Sequence, residues 1–206
     1  MSSKAEHNLT YGLFVVTVNC DGKDNGCITN TVGQVTTSPN CISLTVNKNN
    51  LTHDLISKSR KFTVSVIDQS ADFELFKRFG FQSGRDADKF SGYADCKRAD
   101  NGCYYITKGV NSYISAYVIN EIDLGTHTMF IAAVTYSKVL CDVRSADYNY
   151  YHENIKPKPE QVGKTEDGKT IWRCKICGYE YVGEELPEDY ICPICKHPAE
   201  DFEKVV

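Results

Sequence analysis

Lys61-Phe-Thr-Val-Ser-Val-Ile67 is the stretch from which the fold class of this chain can be read. It is rich in β-branched and aromatic residues and alternates with a period of two, which is typical of a strand with one buried face. Runs of the same character lie on both sides of it, at residues 11–18, 41–46, 113–119 and 129–136. Because clusters of Gly, Asn and Asp separate these runs, residues 1–152 are predicted to be mainly β.

Two segments beside this central run break the strand pattern. Residues 51–58 and 72–79 space their apolar residues at three and four, which predicts two short helices. Many strands combined with few helices favour a closed or partly closed β-barrel.

Composition places the chain among ordinary globular proteins. Of its 206 residues, 41% are hydrophobic and 24% are charged. No apolar run approaches the ~18 residues of a membrane span, and the first residues lack the apolar core of a secretory signal. We therefore expect a cytoplasmic protein without membrane contact.

Charge and cysteine content divide the chain into two parts. Residues 1–152 carry 15 Lys+Arg and 15 Asp+Glu, whereas residues 153–206 carry 8 and 12. Neither part has the basic surplus of a nucleic-acid binder, so nucleic acid is not expected as a partner. The segment 153–168 is polar and contains Pro157 and Pro159, which predicts a linker between domains at 1–152 and 169–206. The second domain is small enough to need a metal for its stability.

Four clustered cysteines predict that metal. Cys174-Lys-Ile-Cys177 and Cys192-Pro-Ile-Cys195 are separated by 14 residues, and two such turns complete a tetrahedral shell of four thiolates. The spacing alone fits iron and zinc. The flanking residues Trp172, Tyr179, Tyr181, Pro187, Tyr190 and Phe202 resemble a rubredoxin, in the compact form found in rubrerythrins. This resemblance implies one iron (Fe2+/Fe3+) held by Cys174, Cys177, Cys192 and Cys195.

Two polar segments of the larger part are candidates for binding a ligand. Gly26-Cys-Ile-Thr-Asn-Thr-Val-Gly-Gln-Val-Thr-Thr37 is a polar strand-turn-strand that can offer hydrogen bonds to a planar ring. Asn47-Lys-Asn-Asn-Leu-Thr-His53 places basic side chains at the start of a predicted helix, where free amide donors favour a phosphate. Taken alone, both segments also fit ordinary turns and solvated charges.

Together with residues 79–90, 123–131 and 148–152, these segments resemble the flavin reductase family over nearly all of residues 7–152. The resemblance implies an FMN-binding split β-barrel of Greek-key type with short helices. It further implies hydride transfer from NADH or NADPH, and a homodimer with the flavin near the subunit interface.

The same resemblance implies the residues of the flavin site. Thr29, Asn30 and Thr31 are expected beside the isoalloxazine ring, with Gln34, Val35 and Thr36 close behind. Asn47, Lys48 and Asn49 are expected along the ribityl chain, Thr52 and His53 at the phosphate, and Ser83, Arg85 and Lys89 in the remaining polar shell. His127 matches the family histidine near the nicotinamide and is the predicted catalytic residue. The six cysteines outside the cluster are expected to be buried or incidental thiols, with Cys27 shaping the pocket.

Both parts of the chain indicate electron transfer, and their fusion resembles the high-molecular-weight rubredoxins of anaerobes, which reduce flavodiiron proteins. The predicted function is NAD(P)H-dependent reduction of FMN, with electrons passing to the chain's own iron and on to a flavodiiron-type acceptor protein. Three alternatives stay open: a ferric or free-flavin reductase with an accessory iron domain, a non-catalytic electron carrier reduced by another protein, and a zinc-ribbon interaction module.

Overall fold

The computed structural model describes residues 9–157, 170–175, 178–193 and 197–205. The chain divides into two compact units, Met1–Glu153 and Asn154–Val206. Most of the predicted linker, and the predicted iron ligands Cys177 and Cys195, lie outside the described residues. Among the helices that are described, none is both long and apolar enough to cross a membrane.

The first unit is built mainly from strands, which confirms the predicted fold class. The strands are β1 (Phe14–Cys20), β2 (Lys23–Thr29), β3 (Val32–Thr37), β4 (Asn40–Asn47), β5 (Lys61–Ile67), β6 (Cys96–Arg98), β7 (Tyr104–Ile106), β8 (Val110–Asp123) and β9 (His127–Val139). The helices are α1 (Leu51–Ser59), α2 (Phe73–Gly80) and the short α3 (Tyr148–Tyr150), which runs into a π-helical turn at Tyr151–Ile155.

Seven of these strands form one antiparallel sheet that bends into an open barrel. The strand order is β2-β1-β5-β8-β9-β4-β3, so β2 and β3 are its two edges. Only two residues separate the end of β2 from the start of β3. A link that short spans about 10 Å at most, so the two edges must approach each other at this point. The result is a barrel with a seam between β2 and β3, as expected of a split barrel.

The barrel interior is the hydrophobic core of this unit. Val16 of β1, Leu44 of β4, Phe62 of β5 and Phe130 of β9 belong to one buried cluster, and Ile56 adds the inner face of α1. In a flat sheet, side chains of strands as far apart as β1 and β4 could not pack together, because β5, β8 and β9 lie between them. The cluster therefore shows that α1 closes one end of a curved sheet.

The two predicted helices are confirmed at nearly their predicted bounds. Helix α2 begins at Asp72, whose carboxylate accepts a hydrogen bond from the amide of Leu75 at 3.2 Å. Its buried residues Leu75, Phe76 and Phe79 have the spacing of one helix face. Helix α1 ends at Arg60, whose left-handed φ of 58° lets its amide donate to the carbonyl of Ile56 at 2.8 Å.

The second unit contains a small three-stranded sheet of order β11-β10-β12. Its strands are β10 (Thr170–Cys174), β11 (Glu180–Gly183) and β12 (Phe202–Val205), with a 3-10 turn at Ala199–Asp201 before the last. Ile171, Cys174, Phe202 and Val205 are buried. Cys192 is buried as well, and these side chains form a small core within the described part of this unit; that the unit needs a metal stays an expectation.

Candidate flavin cleft and iron site

A cleft of about 230 Å³ lies at the seam where β2 passes into β3. Its wall includes five of the residues predicted to bind flavin or substrate, namely Thr29, Asn30, Thr31, Asn47 and His127. Asn47 ends β4 and pairs with His127 at the start of β9. The curvature of the sheet thus brings three segments that are distant in sequence to one place.

Larger clefts are found on the same unit, but they gather few of the predicted residues. One of about 270 Å³ is lined by none of them, and another of about 560 Å³ is lined by Arg85 alone. The chemistry of the donors, not the volume, therefore identifies the seam as the candidate flavin site.

The threonine hydroxyls at the seam are held in place by their own hydrogen bonds. Thr31 Oγ donates to the carbonyl of Thr45 at 2.7 Å, and Thr29 Oγ lies 2.7 Å from Thr31 Oγ. Because a hydroxyl has a single proton and Thr31 uses its own on Thr45, Thr29 is the donor between the two. This arrangement fixes the turn that joins β2 to β3, which the resemblance places beside the flavin ring.

Cys27 lines the cleft and is 6% exposed. Burial raises the pKa of its thiol, while the hydroxyl of Thr52 and the charge of Lys89 act in the opposite direction. A thiol with a raised pKa stays protonated near neutral pH and is a poor nucleophile. Cys27 therefore contributes shape to the cleft.

Lys89 lies in the protein interior. It is 4% exposed, and its Nζ donates to the carbonyls of Gly26 at 2.8 Å and Phe79 at 3.1 Å. Burial lowers the pKa of its ammonium group. Through these two bonds Lys89 ties β2 to the end of α2, and its place in the polar shell of the flavin site stays a prediction.

The N-terminus of α1 provides donors next to the cleft. Asn50, which lines the cleft, is the N-cap residue but makes no side-chain capping bond to the first turn. Thr52 is buried, and its Oγ accepts a hydrogen bond from the side-chain amide of Asn25 at 3.1 Å. The first turn of a helix carries a partial positive charge and amides without helical partners, which suit a phosphate.

The basic side chains around this helix end are all engaged by oxygen atoms of the chain. Lys48 Nζ lies 2.7 Å from Asp123 Oδ1, and Arg85 Nη2 lies 2.7 Å from Asp54 Oδ2. His53 is bound at both nitrogens: Nδ1 lies 3.0 Å from Asp54 Oδ1, and Nε2 lies 2.9 Å from the hydroxyl of Thr128.

Asp54 and Asp123 were not among the predicted site residues. The hydrogen bond from His53, followed by that from Arg85, lowers the pKa of Asp54, and the hydrogen bond from Lys48 lowers the pKa of Asp123. Asp54 directly follows His53 in the sequence, so the sequence itself indicated that Asp54 lies near the site. Nothing local pointed to Asp123, which is 75 residues from Lys48.

Several predicted residues lie outside the cleft wall. Gln34, Val35 and Thr36 lie on β3 and are exposed. Gln34 bonds to Asn40, and Thr36 bonds to the carbonyl of Pro39. Asn49 and Ser83 support local turns. The Asn49 amide donates to Asn47 Oδ1 at 2.9 Å, and Ser83 Oγ accepts from the amide of Arg85 at 3.1 Å.

The iron site is described in part. Cys174 and Cys192 are 1% and 0% exposed, while Cys177 and Cys195 are not among the described residues. Around the first cysteine, the Cys174 amide donates to the carbonyl of Tyr179 at 2.8 Å and the Gly178 amide donates to the carbonyl of Cys174 at 2.9 Å. Gly178 has a φ of 78°, which favours glycine.

The second cysteine pair begins a similar turn, since the Cys192 amide donates to the carbonyl of His197 at 2.8 Å. Two buried cysteines that each open a tight turn fit a four-thiolate site. Within the described residues no three His, Cys, Asp or Glu side chains gather as metal ligands, and two of the four predicted ligands fall outside that set.

The predicted aromatic cluster is present beside these cysteines. The Tyr190 ring lies 4.7 Å from Tyr181 and 5.5 Å from Phe202, centroid to centroid. Tyr190 also donates from its hydroxyl to that of Tyr179 at 3.3 Å, a contact that raises the pKa of Tyr190 to about 12. Aromatic packing of this kind excludes water from a neighbouring metal and tunes its potential.

Known proteins resemble this chain in both units. It matches the family described as "Flavin reductase like domain" over residues 6–158 and the family described as "Rubrerythrin, rubredoxin-like domain" over residues 172–203. It is 35% identical to the high molecular weight rubredoxin of Moorella thermoacetica over 100% of both chains. It is 36% identical to the ferric-chelate reductase (NAD(P)H) of Archaeoglobus fulgidus over 84% of this chain and 98% of that one. The crystal structure of an FMN-binding protein from Thermus thermophilus is similar at a TM-score of 0.58 and 22% identity, covering 67% and 77% of the two chains.

Proposed function

This chain belongs to the flavin reductase-like family and carries a rubredoxin-like domain towards its C-terminus, and from that premise we propose that it reduces FMN with NAD(P)H and passes the electrons through its own iron domain to an acceptor protein. Members of the family are NAD(P)H-dependent flavin oxidoreductases, so the chain is an enzyme of that class. The bound flavin is proposed to be FMN, and the acceptor a flavodiiron-type protein.

The observation that supports this proposal most directly is the composition of the seam cleft. Hydroxyl and amide groups of Thr29, Asn30 and Asn47 line it, and the N-terminus of α1 follows Asn50 at its edge. A polar wall for a planar ring next to a helix end for a phosphate is the donor set that a flavin mononucleotide requires.

A bound flavin supplies the step from two-electron to one-electron chemistry, and a four-thiolate iron carries electrons singly. The chain's own residues bind and orient the flavin. The threonine pair at the seam holds the ring-contacting turn in one conformation, and Cys27 supplies a neutral surface below it.

His127 is proposed to lie on the nicotinamide side of this cleft. Its Nδ1 is 2.9 Å from the hydroxyl of Thr126, and pairing of β9 with β4 fixes its backbone opposite Asn47. No hydrogen bond of Nε2 is found within the described part of the chain, so this nitrogen is the ring atom that can donate to or accept from a substrate. In this role His127 orients the nicotinamide.

Exposed apolar residues support the proposed homodimer. Along β8 and the turn after it, Tyr117, Ile119, Ile122 and Leu124 are 44%, 58%, 45% and 50% exposed. A patch of this kind is typical of a surface that another chain covers. Sedimentation equilibrium of the full chain measures whether the mass is that of two copies. A cytoplasmic location completes the proposal.

Anaerobic stopped-flow mixing with NADH, and separately with NADPH, tests the electron path. Loss of the flavin absorption followed by loss of the iron absorption is the expected result. Absence of any bleaching with either nucleotide would instead support an electron carrier reduced by another protein. Metal analysis of the full chain separates iron from zinc, and chromatography of the released flavin separates FMN from FAD.

The similarity to a ferric-chelate reductase favours one alternative, in which a ferric chelate takes electrons directly from the flavin and the iron domain is accessory. Replacement of Cys177 by Ser tests it. If NADH-driven reduction of a ferric chelate is unchanged in C177S while transfer to a protein acceptor is lost, both activities belong to this chain and only the second uses the iron domain.

A further inference from the structure

The basic residues around the start of α1, where the flavin phosphate is proposed to bind, are paired with carboxylates. Lys48 pairs with Asp123 and Arg85 pairs with Asp54, both at 2.7 Å. The two cations and the two carboxylates together have a formal charge of zero. A flavin phosphate carries about two negative charges at neutral pH. It therefore binds at a site whose positive charges are already balanced by carboxylates.

Asp54 also occupies the hydrogen-bonding position on His53 that a phosphate would use. A carboxylate can only accept a hydrogen bond, so the proton on His53 lies on Nδ1 and points to Asp54. The other nitrogen is bound to Thr128 of β9. Both ring nitrogens are thus occupied, and one carboxylate holds His53 and Arg85 together.

We propose that Asp54, assisted by Asp123, competes with the flavin phosphate for His53, Arg85 and Lys48, and that the two carboxylates thereby weaken FMN binding. This inference rests on the proposed function, since it presumes that the phosphate binds at α1. The side chains concerned are partly exposed: Asp54 is 47% exposed and Arg85 is 48% exposed. Solvent reaches both partners, so the pair can open and close without disturbing the core.

Competition by a carboxylate has a consequence that a supporting role does not. A residue that merely supports the site weakens flavin binding when it is changed, whereas a competitor strengthens it. His53 and Arg85 bind different oxygens of Asp54, so Asp54→Asn keeps one acceptor oxygen for one of them and removes the charge. Exposed ion pairs of this kind have modest strength, and we expect FMN to bind about two- to fivefold more tightly to D54N.

The test measures dissociation constants of FMN and riboflavin for the flavin-free full chain, by quenching of flavin fluorescence. Riboflavin lacks the phosphate, so its dissociation constant should stay unchanged in D54N while that of FMN falls. Asp123→Asn should change FMN in the same direction. Glu74→Gln is the matched control, because it removes one carboxylate from an exposed pair with Lys77 on α2 and should alter neither constant.

The results distinguish failure of this inference from failure of the proposed function. If D54N binds FMN more weakly, or shifts FMN and riboflavin equally, Asp54 is no competitor and the inference is wrong while the flavin site stands. If the unmodified chain binds neither flavin, the proposed function fails with it. If E74Q tightens FMN as much as D54N does, the effect is one of overall charge and the specific role of Asp54 is refuted.

Discussion

Replacement of Thr52 by Val should destabilise the larger unit by a predictable amount. Thr52 is 1% exposed, and its hydroxyl accepts the hydrogen bond that the buried Asn25 amide donates at 3.1 Å. Valine has nearly the same shape, so it leaves the packing intact and the amide without this partner. An unpaired buried amide costs about 1–3 kcal/mol, and the additional buried carbon returns about 0.8 kcal/mol.

The net loss is therefore about 0.2–2.2 kcal/mol, and its midpoint near 1 kcal/mol corresponds to a fall in Tm of about 2–4 °C for a domain of this size. The chain has one tryptophan, Trp172, and it lies in the second unit. Far-UV circular dichroism of the flavin-free protein follows the large sheet, while tryptophan fluorescence follows the second unit. We expect the first transition to fall in T52V and the second to stay in place.

Thr52→Ser is the matched control, because it keeps the hydroxyl and removes only a methyl group. It should lower the Tm less than T52V does if the hydrogen bond is the important contribution. A T52V variant as stable as the unmodified chain would refute this reasoning, since the Asn25 amide would then have found another partner at no cost. Equal losses in T52S and T52V would mean that the methyl group contributes as much to stability as the hydrogen bond does.

Three further predictions address the electron path and the flavin site. Cys177→Ser should abolish the iron absorption and leave FMN reducible by NADH; loss of both would mean that the two units do not work independently. The double change of Lys48 and His53 to Ala should raise the FMN dissociation constant in a fluorescence titration and leave the iron absorption intact, and an unchanged constant would remove the phosphate-site assignment. Residues 153–206 have 12 acidic and 8 basic residues, so electron transfer from the iron domain to its acceptor should slow as salt rises, since screening at ~0.15 M limits the field to about 8 Å. Hydride transfer, measured in the same salt series, should change much less. If the rate of electron transfer to the acceptor does not depend on salt, the acidic residues serve solubility only.

Local sequence patterns predicted the secondary structure well. The run Lys61–Ile67 is a strand over those residues, and the helices α1 and α2 begin within a residue of their predicted starts. Alternation and helical spacing depend only on neighbouring residues. They can therefore be read from the sequence wherever one face of a strand or helix is buried. The short strands β6 and β7 were missed, because three residues are too few to show a period.

The composition of the flavin cleft was predictable only in part. The resemblance pointed to Thr29, Asn30, Thr31, Asn47 and His127, and the barrel brings these five together. It pointed equally to Gln34 and Lys89, which the structure places on an exposed edge strand and in the protein interior. A motif names the residues of a segment, but the twist and pairing of the strand decide which side chains face the cleft.

The sequence by itself determined the two-part organisation, the β character of the larger part and the four cysteines with metal-ligand spacing, because each depends on residues close together in the chain. Tertiary structure alone decided which partners the charged side chains have. Lys48 meets Asp123 across 75 residues, Arg85 meets Asp54 across 31, and Lys89 meets Gly26 across 63. These contacts exist because strand pairing and helix packing bring segments that are distant in sequence together, and no local pattern encodes the direction in which a side chain then points. Charge pairing, and with it the competition proposed for the phosphate site, is therefore a property of the folded barrel.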